Sequence, residues 1–133
     1  MLGRLPFAVL CLAVAAWLAL GLRDARLEQE GTELSRSPAA VADAAVARRA
    51  DDELADAELL NPDTTPLLNR AGLALRRGEL DRGVELLRDV VEREPKNLPA
   101  WRLLAIAARA AGDPALERQA LAHARGLSTP AED

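Results

Sequence analysis

Between Leu5 and Leu22 the chain runs for eighteen residues without a charge, as LPFAVLCLAVAAWLALGL. As a helix rising 1.5 Å per residue, such a run spans about 27 Å, close to the roughly 30 Å hydrocarbon core of a bilayer. Inside lipid every backbone amide needs a partner within the segment, so a helix is the structure the run can form there. The feature divides the chain into a membrane end and a remainder that works at a membrane surface. The lipid bilayer is therefore the first expected partner, through residues 5–22.

Two uses of the run compete. A cleaved signal peptide has an apolar core of about 7 to 15 residues and a small-x-small cleavage site, and Ala13-Val14-Ala15 is such a triplet. The apolar character continues past it through Ala16, Trp17, Leu18 and Leu20, which favours an uncleaved signal anchor over residues 1–22. Cys11 follows Leu10 and not the small residue that a lipid-modified cysteine requires. Trp17 is placed either to anchor the segment at an interface or to be buried in lipid. Arg4 on one side and Arg23 and Arg26 on the other, offset by Asp24 and Glu28, give little of the asymmetry that sets topology. The short N-terminal tail favours a single-pass membrane protein with its larger part extracytoplasmic.

Composition narrows what that larger part does. Setting Arg4 aside from the 17 basic residues leaves 16 against 21 acidic ones, a net charge of −5 for residues 23–133. Nucleic acid is a poor partner for such a balance, because phosphate binding needs clustered Lys and Arg. Phe7 and Trp17 lie in the apolar run, so Trp101 is the one Phe, Tyr or Trp beyond it and no stacking platform for bases or sugars is available. The single Cys, Cys11, and the single His, His123, exclude a disulfide framework and a multi-histidine metal site. His123 reads as a solvated or partly packed surface residue in an Ala-rich helix. No phosphate-binding loop, nucleophile elbow or dinucleotide fingerprint is present, and Asp51-Asp52-Glu53 reads as a solvated helix face. The expectation is a protein that is not an enzyme and takes no cofactor.

Residues 23–133 read as all-α. Ala, Leu, Arg and Glu dominate, and Pro and Gly fall between periodic blocks. Ser37-Pro38, Thr65-Pro66 and Asp113-Pro114 each pair a capping residue with a first-turn proline. Helices are predicted over about 38–60, 66–77, 79–93, 99–111 and 114–126. The last four recur with a period of 34 residues: Ala71 meets Ala105, Ala74 meets Ala108, Gly78 meets Gly112 and Leu87 meets Leu121, while Leu67 meets Trp101 and Val90 meets Ala124. A helix-turn-helix period of that length is a solenoid signature.

The block 64–131 resembles tetratricopeptide repeats. Its first copy carries Leu67, Ala71, Ala74, Gly78-Glu79-Leu80-Asp81, Gly83, Leu87, Val90 and Pro95 at the pattern spacings. The second carries Trp101, Leu104, Ala105, Ala108, Gly112-Asp113, Leu121 and Ala124. Arg70 stands where the pattern prefers leucine, Ala74 and Ala108 where tyrosine is usual, and Glu117 where the first copy has Gly83. The resemblance implies a repeat core of Leu67, Ala71, Ala74, Leu87, Val90, Trp101, Leu104, Ala105, Ala108 and Leu121. It also implies protein partners held on the face formed by the first helix of each pair. On that face fall Leu68, Asn69, Leu75 and Arg76 from the first copy and Arg102, Ile106 and Arg109 from the second. Asn69 occupies the place where the family sets an asparagine against a peptide backbone, and two arginines flanking an isoleucine could seat a carboxylate.

Two repeats bury little of their own apolar surface, so a preceding element should cover the first. A single capping helix over 38–62, with the stripe Val46, Ala50, Leu54 and Ala57, is predicted to do so. The expected organisation is thus an N-terminal transmembrane signal anchor at 1–22, a juxtamembrane linker or helix at 23–37, the capping helix, two tetratricopeptide-like repeats of a short α-solenoid at 63–127, and a polar tail at 128–133. The leading functional expectation is a membrane-anchored scaffold for protein–protein interaction. The alternatives are an envelope assembly factor, similar to the anchored repeat subunits of cytochrome c maturation or protein export, and a self-associating structural membrane protein. The full-length protein is expected to remain in the membrane pellet after carbonate extraction; a soluble species beginning at Ala16 would mark the run as a cleaved signal instead.

Overall fold

The computed structural model describes residues 14, 26, 28–60 and 63–128. Among them the chain is all-α, with no strand. The helices are α1 (described over 28–36), α2 (Pro38–Ala42), α3 (Ala44–Leu60), α4 (Thr65–Arg76), α5 (Leu80–Arg93), α6 (Leu98–Ala111) and α7 (Pro114–Ser128). No helix among the described residues is long and apolar enough to cross a membrane. The expected anchor at 5–22 lies outside them, apart from Val14.

The helices from α4 onward form two consecutive hairpins with the same turn. Gly78 and Gly112, 34 residues apart, both take left-handed backbone with φ of 77° and 76°. In the first turn the amide of Gly78 donates to the Leu75 carbonyl and that of Glu79 to Ala74, at 3.0 and 2.9 Å. In the second, Gly112 donates to Arg109 and Asp113 to Ala108, at 3.1 and 2.9 Å. This pair of bonds satisfies carbonyls that a helix end leaves open, and the positive φ it needs is the reason for glycine. Asp113 then caps α7, accepting from the amides of Ala115 and Leu116. Asn97 caps α6 by accepting from Ala100.

One core runs through both hairpins. Leu67, Ala71, Leu87, Val90, Trp101, Leu104, Ala105 and Ala108 are buried in it, and Leu121 packs against it while partly exposed. Ala74 is buried on α4. Trp101 is its largest member: its indole N–H donates to the Pro95 carbonyl at 2.8 Å, and its ring stacks on His123 with centroids 4.2 Å apart. His123, expected as a solvated or partly packed residue, is thus exposed but seated on the Trp101 face.

The segment before the hairpins differs from the single long helix over 38–60. Asp43 adopts extended backbone, with φ −111° and ψ 119°, and splits it into α2 and α3. The Asp43 carboxylate accepts from the Ala45 amide at 2.7 Å, so the residue stops one helix and caps the next. Ser37 does likewise six residues earlier, donating to the Leu34 carbonyl and accepting from the Ala40 amide. The buried stripe of α3 is Ala47, Ala50, Leu54 and Ala57, with Val46 only partly covered. A second apolar cluster of Ala40, Ala50 and Leu73, joined by Leu34 and Val46, fastens α1–α3 to α4.

Truncating a buried Trp to Ala typically costs about 3–5 kcal/mol. For about 100 residues each kcal/mol lowers the melting temperature by roughly 4–8 °C. Trp101→Ala should therefore lower the midpoint of thermal unfolding by at least about 10 °C; a shift of one or two degrees would mean that Trp101 does not support the core.

Candidate interaction face

The structure divides the seven residues of the expected binding face into two halves. On α4, Leu68 and Leu75 are half-buried and pack against the core. Leu75 lies directly over Gly83 of α5: a Cβ at residue 83 would meet its Cδ2 at 2.4 Å. Asn69 donates its side-chain amide to the Thr32 hydroxyl at 2.9 Å. The Arg76 guanidinium donates to the Ser35 backbone carbonyl. Both partners lie on α1, so the polar groups of this half are engaged by the chain itself. Arg77 adds bonds from its guanidinium to the carbonyls of Ala40 and Val41, at 3.0 and 3.3 Å. Two successive arginines at the end of α4 thus hold the closing carbonyls of α1 and α2, a favourable place for cations.

The α6 half is open. Arg102, Ile106 and Arg109 are exposed at spacings of four and three. Ile106 is 63% exposed, the most of any large apolar side chain in the two hairpins. Arg102 has a single weak contact, 3.5 Å to the Ser128 hydroxyl. Arg109 is paired: its Nε donates to Glu117 at 2.7 Å. Positions 109 and 117 are the 34-residue counterparts of Leu75 and Gly83. Where the first hairpin rests an apolar side chain on a glycine, the second sets an ion pair at its rim.

A charged network between α3, α4 and α5 was not foreseen, because Asp51 reads as part of a solvated acidic run. The half-buried Arg70 donates to Asp51 at 3.0 Å and to Glu58 at 2.9 Å. Arg82 also reaches Asp51, at 2.6 Å, and Arg93 reaches Glu58, at 2.9 Å. Burial works against the Arg70 charge, but the two carboxylates outweigh it and hold the guanidinium above its ordinary pKa. The available signal was a joint one: Asp51 and Glu58 are seven apart on one helix, and Arg70 stands where the repeat pattern prefers leucine. Beside this network a polar cleft of about 200 Å³ is lined by residues including Arg48, Asp52, Arg77 and Glu79. Among the described residues, no three His, Cys, Asp or Glu side chains are grouped to hold a metal.

No protein-family model matches the chain, and no curated protein matches it.

Arg70→Leu should destabilise the protein by about 1–3 kcal/mol, since it leaves half-buried carboxylates short of donors. A double-mutant cycle of Arg70→Leu with Glu58→Ala, followed by chemical denaturation, should show coupling above about 0.5 kcal/mol. Additive losses would mean that Arg70 acts by packing and not through its charge.

Proposed function

We propose that this protein is a single-pass, membrane-anchored helical-repeat scaffold that captures a partner protein on the outward face of its hairpins. The observation that carries the reading is the open stripe on α6, where exposed Ile106 is flanked by Arg102 and Arg109. An apolar anchor between two cations suits a short peptide segment with an aliphatic side chain and at least one carboxylate. The tetratricopeptide-like assignment is part of the proposal and is supported by the 34-residue recurrence of the turn bonds at Gly78 and Gly112. The anchor rests on the uncharged run Leu5–Leu22. End-to-end stacking is disfavoured by α7, whose exposed positions include Arg118, Gln119 and Arg125.

The ligand must compete with Glu117 for Arg109, whereas Arg102 has no carboxylate partner among the described residues. Arg102 should therefore contribute the larger share of the affinity. Charge reversal at Arg109 would set two carboxylates together, so serine is the cleaner replacement. Arg102→Ser with Arg109→Ser should reduce partner recovery from solubilised membranes at least about tenfold, a loss of roughly 1.4 kcal/mol. Far-UV circular dichroism should be unchanged, because both side chains are exposed. Undiminished recovery would reject the α6 face.

A further inference from the structure

Helix α7 runs back along α6 and ends beside the open stripe. Its first turn meets the end of α6 through Glu117 and Arg109, and its last residue meets the start of α6 through Ser128 and Arg102. The Ser128 hydroxyl accepts from the Arg102 guanidinium at 3.5 Å and donates to the Ala124 carbonyl at 2.8 Å. The described chain therefore ends next to the one arginine of the stripe that has no carboxylate partner among the described residues. The segment Thr129-Pro130-Ala131-Glu132-Asp133 follows, outside the described residues. Its composition is that of the ligand argued for this face, with two carboxylates and two small apolar side chains. Proline has no amide to give a helix and disfavours helical backbone at the residue before it, so Thr129-Pro130 directs the chain out of the α7 axis. At no more than about 3.6 Å per residue the segment reaches up to about 18 Å. Ile106 stands about 6 Å along α6 from Arg102, and Arg109 about 10 Å. The segment can thus reverse direction and still lie along the stripe. The first hairpin has no equivalent, because the 34-residue counterparts of 129–133 are 95–99, which carry Lys96 and no carboxylate and lead into α6.

We propose that residues 129–133 are an internal ligand of the α6 stripe, with a carboxylate of Glu132 or Asp133 on Arg102 and with Pro130 and Ala131 against Ile106. As regulation of partner capture this rests on the scaffold reading above: a partner of the α6 face competes with the chain's own acidic segment. Tethered beside its site, the segment acts at an effective concentration on the order of millimolar. Exposed ion pairs are weak, so it leaves the face free for part of the time, and partner affinity falls by that fraction. The segment thereby sets a threshold that a weak acidic ligand does not pass and a stronger one does.

Ile106 is the only isoleucine in the chain, so selective labelling of its δ1 methyl group gives one NMR signal, placed in the stripe itself. The test uses the full chain in detergent micelles. Glu132→Gln with Asp133→Asn should move the Ile106 signal by more than its linewidth. Sodium chloride at about 1 M, where the screening length is about 3 Å, should abolish the difference between the two proteins. In an Arg102→Ser background the same neutralisation should leave the signal in place. Tenfold dilution should not change the shift, because the contact is intramolecular. A signal that does not respond to neutralisation would overturn the proposal. So would a response that survives Arg102→Ser but is lost in Arg125→Ser, which would assign the segment to the exposed arginine on α7. A response that fades on dilution would overturn it too, since the occupant would then be the segment of a second copy. The measurement needs no partner. An unmoved signal leaves partner capture by Arg102 and Arg109 standing, and undiminished partner recovery in their serine variants would reject capture while leaving the segment's contact intact.

Discussion

The left-handed glycine that closes each hairpin governs the rest of the architecture. With Gly78 at φ 77° and Gly112 at φ 76°, each chain reversal takes only a few residues, and the two helices on either side become neighbours. Neighbouring helices then need small residues where they approach. Ala71 and Ala74 on α4 and Ala105 and Ala108 on α6 meet that need. Trp101 joins one pair to the next, closing the space between hairpins while its N–H is satisfied by Pro95. The α4 surface on which α1–α3 settle exists only once this arrangement is in place.

The second helix of each pair serves a different load. Helix α5 lies between α4 and α6 and buries Gly83, Val84, Leu87, Val90 and Val91, a stripe wide enough for two neighbours. Helix α7 packs chiefly on α6 and buries Leu116, Ala120 and Ala124, spaced four and four. Glu117 could not occupy the place of Gly83, where even a methyl group would collide with Leu75. It turns instead to Arg109, and the same substitution that narrows the α7 stripe leaves α6 with a charged, solvent-facing surface.

What could be read from the sequence was what local chemistry determines. The turn glycines, the proline-led helix starts and the 34-residue period depend on residues adjacent in the chain, and the all-α architecture follows from them. The break at Asp43 was hidden by good helix formers on both sides, although an aspartate able to cap the following turn was present. The docking of α1 was not legible, because Gly31 reads as a linker glycine until Leu54 is known to lie against it. Asn69 and Arg76 were placed on the right helix, but their bonds to Thr32 and Ser35 span 37 and 41 residues and have no local signature. The Arg70 network depends likewise on how α3 crosses α4 and α5.

Arginine is the residue through which this acidic chain assigns its surfaces. Arg70, Arg82 and Arg93 neutralise carboxylates on α3 and so attach the N-terminal helices to the hairpins. Arg76 and Arg77 do the same by a different route, bonding helix carbonyls, while the Arg77 Nε also donates to Glu79. On α6 the arrangement changes: exposed Arg109 is paired with the largely covered Glu117, and Arg102 has only a distant hydroxyl. Releasing Glu117 from Arg109 has a cost, because that carboxylate is largely covered, with 20% of its side chain exposed. A ligand at the proposed face would therefore gain most from Arg102, which has no carboxylate to displace among the described residues, and from what Ile106 can cover.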